Sequence, residues 1–197
     1  METVCWVEAR GGALNLKYLP IGDNAPVVVN AIVEIPKGSR NKYEYNIELG
    51  VFQLDRVLYS SMHYPEAYGF IPSTLYDDGD PVDVLIVIDQ PLQTGIMIEV
   101  RPIGILKMSD EKGSDDKIIS VAKHDPTYST IREVKELPKH TLIEIEHFFT
   151  SYKELEGKHV RSFGWHGVRE ARRAIQRASK AFAKTVQIKY KDFEENQ

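Results

Sequence analysis

A single change of hydrophobic period constrains this chain more than any other feature. From about residue 29 to 122 the punctuation is strand-like, and beyond residue 138 the apolar residues recur at helical spacing. Residues 29–35 are rich in β-branched side chains and stop at Pro36-Lys37-Gly38. Lys42-Tyr43-Glu44-Tyr45-Asn46-Ile47-Glu48 alternates polar and apolar residues without a break, which predicts a half-buried strand. Gly50 then turns the chain into 51–59, and 82–88, 97–107 and 117–122 complete six strand candidates. Between residues 138 and 155, Leu142, Ile145, Phe149 and Tyr152 form one helical stripe, with Pro138 suited to its first turn and Gly157 to its end. Val168, Ala171, Ile175, Ala178 and Phe182 form a second, with Arg169, Arg172, Arg173 and Arg177 on its outer faces. The expected fold is α+β: a run of antiparallel strands, open to closure as a small barrel, followed by two helices.

At 197 residues the chain can bury a sizeable core, and no repeat, low-complexity stretch or linker divides it. Lys and Arg number 25 against 29 Asp and Glu, so the basic excess of a nucleic-acid partner is missing and none is expected. The one cysteine, Cys5, excludes an intrachain disulfide and a thiolate zinc site. The longest apolar run, Val84-Leu85-Ile86-Val87-Ile88, is too short to span a bilayer, so no membrane partner is expected. Between Glu2 and Glu8 the only apolar stretch is Val4-Cys5-Trp6-Val7, too short for a secretory signal, and the expected placement is cytoplasmic.

The chemistry lies in where the charges fall. Asp77-Asp78-Gly79-Asp80-Pro81-Val82-Asp83 sets four carboxylates in seven residues and runs directly into the apolar strand. Alone, Asp-Gly and Asp-Pro read as an ordinary solvated turn. Asp83 argues otherwise, because a carboxylate among apolar strand neighbours must find a cation or accept a raised pKa. A second acidic group, Asp110-Glu111-Lys112-Gly113-Ser114-Asp115-Asp116-Lys117, joins two strand candidates and alone is a polar hairpin loop. Two such groups at the ends of neighbouring strands could bind more than one hard cation, and all-oxygen ligation favours Mg²⁺ or Mn²⁺ over zinc. Arg56 shares a predicted strand face with Phe52, Leu54 and Leu58, and an arginine there needs an anion or a salt bridge. Lys42 and Glu44 share one strand face, Tyr152 extends the helical stripe beside Lys153, and Tyr68 lies in the aromatic turn of residues 64–72. Each of these has a plain reading as a solvated face or core packing. Nucleotide-binding glycine loops and the H-E-x-x-H zinc motif do not occur.

Read together, these groups resemble the family I soluble inorganic pyrophosphatases. Asp78-Gly79-Asp80-Pro81-Val82-Asp83-Val84 is similar to the family signature D-x-D-P-x-D-x in full. The Lys42-Tyr43-Glu44 strand, the aromatic turn, the Asp110 to Lys117 loop and Tyr152-Lys153 follow in the family order, so the resemblance runs from about Leu14 to the second helix. It implies a small closed five-stranded OB-like β-barrel with two α-helices packed against it, as one domain over residues 14–197 behind an extension of residues 1–13. It implies Mg²⁺-dependent hydrolysis of diphosphate to two phosphates by a metal-activated water, several Mg²⁺ per site, and Mn²⁺ as a substitute. Asp78, Asp83 and Asp115 would hold the metal pair, with Glu34 and Asp110 contacting further magnesium ions. Asp80 would be the general base. Lys42, Arg56, Tyr68, Lys117, Tyr152 and Lys153 would bind phosphate oxygens, with Glu44 in support. A homo-oligomer, by family habit a hexamer, is implied as well. Against this stand a barrel that grips single-stranded nucleic acid or a phosphorylated ligand, a two-metal enzyme for larger phosphate esters, and a non-catalytic scaffold. The acidic clusters and net charge of -4 argue against the first.

Overall fold

The computed structural model of the chain describes residues 15–111 and 113–195. The extension expected over residues 1–13 lies outside them, as do Cys5 and Lys112. In chain order the described elements are β1 (Val29–Ile35), β2 (Asn41–Asn46), β3 (Val51–Val57), β4 (Ala67–Ile71), β5 (Val82–Val87), β6 (Met97–Asp110), β7 (Gly113–Ser114), β8 (Lys117–Ala122), α1 (Lys139–Ser151), β9 (Arg161–Gly167) and α2 (Val168–Glu195).

β1, β4, β5, β8 and β6 pair in that order, and β6 returns to β1 through Val29↔Val100 to Ile32↔Met97, closing a ring of five strands. In ring order the strands are first, second, third, fifth and fourth, the Greek-key order of an OB-like barrel. All these pairings are antiparallel except β5 with β8, which run parallel from Val84↔Ile118 to Val87↔Val121. The expectation of antiparallel strands therefore fails at one pair, and that pair positions the site.

Strands of the ring bury both faces. Val84 and Ile86 of β5 pack with Ala171, Ile175 and Ala178 of α2, whereas Leu85 and Val87 pack with Ile145, Phe148 and Phe149 of α1. Each fully buried Ile or Phe contributes about 1.5–3 kcal/mol of transfer free energy. The two helical stripes read from the sequence thus meet opposite faces of the same sheet.

Three strands escape the sequence reading: β4, β9 and the two-residue β7, which pairs with the end of β6 inside the expected hairpin loop. Residues 64–72, taken as an aromatic turn, contain β4, in which every residue is buried. A strand covered on both faces shows no alternation, and Pro65 and Pro72 frame it like a turn. Its Gly69 faces Val33, where a Cβ would stand 1.8 Å from the Ile32 carbonyl oxygen, so only glycine allows β1 and β4 to approach. β9, between the helices, pairs with β6 from Gly104↔Gly167 to Ser109↔Arg161.

The segments 42–48 and 51–59 do form strands, but as a separate β2–β3 hairpin off the ring. The register shifts by one residue, from Lys42↔Arg56 to Tyr43↔Leu54, so Asp55 is an inserted residue. The insertion moves Arg56 off the face of Phe52 and Leu54, and Leu54 is itself 53% exposed, so the apolar face expected around Arg56 does not exist. α1 ends at Ser151, with Tyr152 as its C-cap, and Gly157 closes the short 3₁₀ turn of Glu154–Glu156 at φ +70°.

Candidate active site

Parallel pairing aligns the starts of β5 and β8, so the acidic segments that precede them meet at one end of the barrel. Before β5, the turn at 76–80 is closed by Tyr76 N–H donating to the Asp80 carbonyl (2.7 Å) and Gly79 N–H to the Tyr76 carbonyl (3.1 Å). Gly79 takes φ +91°, and Asp78 Oδ1 accepts the Asp80 N–H at 3.0 Å, as an Asp-Gly turn should. Asp83 then enters β5 as its second residue. The cation that its sequence position demanded is Lys117, the first residue of β8, whose Nζ stands 2.5 Å from Asp83 Oδ2 and 2.5 Å from Asp115 Oδ1. The Lys117 side chain is only 3% exposed.

Other elements add to the same mouth. Past the end of α1, Tyr152 stacks on Phe148 at 4.9 Å between ring centroids, and Lys153 reaches Asp110 (3.3 Å) and Asp115 (3.9 Å). β1 contributes Glu34, which accepts the Tyr45 backbone N–H at 2.9 Å. The hairpin contributes Lys42, paired with Glu44 and with Asp55 at 3.1 Å. Arg56 pairs with Asp55 and donates from Nε to Glu156 Oε1 at 2.9 Å. A cavity of about 230 Å³ results. Glu34, Lys42, Tyr68, Asp78, Asp80, Asp83, Asp115, Lys117, Tyr152 and Lys153, all singled out in the sequence, line it, together with Glu44. Asp110 and Arg56 stand behind the lining, joined to it through Lys153 and through the Asp55–Lys42 pair.

One charged lining residue was not anticipated. Lys17 comes from the 3₁₀ turn Leu16–Tyr18 and places Nζ 3.0 Å from Asp80 Oδ1. Its partner is sixty-three residues away, and no local pattern distinguishes it from any surface lysine.

The electrostatics follow from crowding. Burial pushes the Glu34 carboxyl up to about 8, with the Tyr45 N–H opposing and the Asp83 carboxylate adding to the rise. Burial also lifts Asp78, and the neighbouring carboxylates Asp83 and Asp80 reinforce it. For Lys117 burial works the other way, yet Asp83 and Asp115 outweigh it and hold the ammonium above the usual lysine range. Lys153 is raised in the same manner, against burial, with Tyr152, Asp115 and Asp110 beside it. Burial keeps the Tyr68 and Tyr152 hydroxyls protonated well into alkaline solution. Clustered carboxylates here call for positive charge, and clustered lysines for negative charge.

Among the described residues no three carboxylate or imidazole groups converge as a ready-made metal-holding cluster. The donor chemistry nonetheless fits a hard divalent cation, because Asp78, Asp83 and Asp115 line one cavity and offer only oxygen. Asp116, between Asp115 and Lys117, faces elsewhere, its Oδ2 accepting from Lys107 Nζ at 2.7 Å.

Barrel and cavity together define a class: OB-like α+β proteins whose mouth interleaves carboxylates with lysines and tyrosines, suited to polyanionic phosphate and its counter-ions. The family description "Inorganic pyrophosphatase" matches residues 31–183. An inorganic pyrophosphatase of Sulfolobus acidocaldarius is 56% identical over 162 residues, 81% of this chain and 94% of the relative. One from Thermus thermophilus is 50% identical over 154 residues, 77% of this chain and 88% of the relative. The crystal structure of inorganic pyrophosphatase from Thermus thermophilus superposes with a TM-score of 0.84 at 45% identity, covering 86% of this chain and 99% of that one. The chain belongs to the inorganic pyrophosphatase family, in agreement with the signature around Asp80.

Proposed function

We propose that the cavity splits the anhydride bond of diphosphate into two phosphates, with Asp80 as the base for the attacking water. As a member of its family the chain is a diphosphatase, a hydrolase acting on a phosphoric anhydride. The observation that carries the residue roles is the convergence of ten sequence-selected side chains, five acidic, three basic and two tyrosines, on one cavity of about 230 Å³.

Asp78, Asp83 and Asp115 would hold divalent cations, Mg²⁺ or in its place Mn²⁺, and Glu34 and Asp110 would contact further ions that accompany the diphosphate. Bound there, the cations supply a lowered pKa for the attacking water. Asp80, at the tip of its turn, takes the proton as the water oxygen bonds to phosphorus and the bridging P–O bond breaks. Lys17 holds the Asp80 carboxylate in a defined orientation. Lys42, Lys117 and Lys153 meet the phosphate oxygens, and Arg56 is suited to bidentate contact once it turns from Asp55. Tyr68 and Tyr152, kept protonated by burial, donate hydrogen bonds to the developing charge on the leaving phosphate.

Residues 14–197 act as a single catalytic domain in this reading, and the protein works in the cytoplasm as a homo-oligomer, a hexamer by its family resemblance. Among the described residues no helix is long and apolar enough to cross a membrane. Ile143, Leu155 and Phe163 are each more than half exposed, as residues covered by another copy would be. Sedimentation of the purified chain tests the hexamer.

The deciding assay is phosphate release from diphosphate with Mg²⁺, then with excess EDTA. Fast release abolished by the chelator is expected, with little release from a phosphate monoester. No release with either Mg²⁺ or Mn²⁺ would overturn the catalytic reading.

A further inference from the structure

Asp115 and Lys117 line the cavity, whereas Asp116, between them, turns away from it. Asp116 is 6% exposed and has three partners. Its Oδ1 accepts the Met108 backbone N–H at 3.0 Å, and its Oδ2 accepts Lys107 Nζ at 2.7 Å and the Tyr76 hydroxyl at 2.5 Å. In return, Asp115 N–H donates to the Met108 carbonyl at 2.9 Å, so residues 115 and 116 are both tied to one residue of β6.

The Tyr76 bond is the unusual one. Tyr76 opens the acidic turn, both its N–H and its carbonyl close that turn, and its hydroxyl crosses forty residues of sequence to reach Asp116. Arg177 of α2 covers the ring from outside, with its guanidinium 5.4 Å from the ring centroid and NH2 3.2 Å from Asp77 Oδ2. One buried hydrogen bond therefore links the turn bearing Asp78 and Asp80 to the segment bearing Asp115 and Lys117. It lies behind the cavity and touches nothing inside it.

We infer that Tyr76 and Asp116 are positioning residues whose hydrogen bond sets the spacing between the Asp78 and Asp115 carboxylates, and with it the affinity of the site for divalent cations. The physical basis is that Asp78 and Asp115 belong to separate loops. Carboxylates on separate loops repel each other and drift apart unless something behind them holds the loops in register. Lys117 bridges Asp83 and Asp115, and Lys17 ties Asp80 to the 3₁₀ turn of Leu16–Tyr18, so neither joins the acidic turn to the Asp115 segment. Tyr76 and Asp116 supply that link from the back. Lys107 and the Met108 N–H hold the Asp116 carboxylate still, so that the tyrosine hydroxyl meets a fixed acceptor. Partners lying outside the ligands of a metal site commonly change affinity 10–100-fold when removed.

The inference rests on the reading of Asp78, Asp83 and Asp115 as cation ligands, and the experiment separates the two. Mn²⁺ is titrated calorimetrically, without diphosphate, into the full-length wild type, Tyr76→Phe, Asp116→Asn and the double variant, with a thermal melt of each. Tyr76→Phe removes one hydroxyl and keeps the ring packed under Arg177. The expected result is Mn²⁺ binding weakened about tenfold or more in Tyr76→Phe. The double variant should be weakened by less than the two single changes combined, because both act on the same bond. Weakening is then relieved by excess metal, so kcat at saturating Mg²⁺ recovers while the Mg²⁺ concentration for half-maximal rate rises. Wild-type Mn²⁺ affinity in Tyr76→Phe, whatever its melting temperature, overturns the inference and leaves the ligand assignment standing. Wild type that binds no Mn²⁺ overturns the ligand assignment and the inference together. Should Asp116→Asn fail to fold, Tyr76→Phe decides alone.

Discussion

Asp80 carries a catalytic proposal from an exposed position, its carboxylate 71% accessible and held by Lys17. Asp80→Asn keeps the side-chain shape and the Lys17 contact but removes the basicity. Turnover is expected to fall by a factor on the order of 10² or more with metal binding intact, measured as steady-state phosphate release. Normal turnover in that variant would remove Asp80 from the base role. Arg56 has two competing explanations, because its Nε–Glu156 pair is already a structural bond at 2.9 Å. If Arg56 turns to the substrate, Arg56→Ala lowers kcat/KM for diphosphate by about tenfold or more, in addition to a fall in melting point from breaking the Glu156 pair, whose side chains are only 22% and 8% exposed. An unchanged kcat/KM with a lower melting point would assign Arg56 to Glu156 alone.

At the scale of elements, α1 does two jobs. Its apolar stripe buries Ile145, Phe148 and Phe149 against one face of the barrel, and its C-terminal end delivers Tyr152 and Lys153 to the cavity. Packing and site are coupled through the Phe148–Tyr152 stack. Ile145→Ala leaves a void at a position that is 0% exposed and is expected to cost about 2–5 kcal/mol, read from denaturant unfolding. Less than about 1 kcal/mol would show that α1 settles into the space and is held by its ends. β4 illustrates the opposite case of an element concealed by its own burial. Its strand character rests on backbone pairing with β1 and β5, and at Gly69 on the absence of a side chain, neither of which leaves a periodic trace.

For the molecule as a whole, pH acts through buried carboxyls. Glu66 is 5% exposed; burial raises its carboxyl above the ordinary 4.5, and the Lys37 ammonium at 3.0 Å only partly offsets this. As pH rises past 4.5, the folded chain keeps a proton that the unfolded chain has released. The folded state then binds more protons than the unfolded one, so stability declines with rising pH until Glu66 ionises in both states. Melting temperatures of wild type and Glu66→Gln, measured stepwise upward from pH 4.5, should converge at the acid end, with the wild type falling away as pH rises. Parallel curves would mean that Lys37 offsets burial fully. Glu66 lies away from the candidate active-site cavity, so this test is independent of the metal reading.

What the sequence determined by itself was local: the change of period, four of the five ring strands, both helical stripes and the acidic turn around Gly79. These are legible because a half-buried strand, an amphipathic helix and an Asp-Gly turn each carry their cause within a few residues. Asp83 was legible for the same reason, since a carboxylate among apolar neighbours announces a partner without naming it. Matching the whole pattern to a known family supplied the rest of the site list, which composition and spacing alone would have left as surface charges. Tertiary structure decided what depends on distant residues: that Lys117 answers Asp83, that Lys17 answers Asp80, that the bulge at Asp55 takes Arg56 off the face of Leu54, and that Tyr76 reaches Asp116. The single parallel pair of β5 and β8 brings the two acidic segments to one mouth, and pairing direction is a property of the closed ring that neither strand contains.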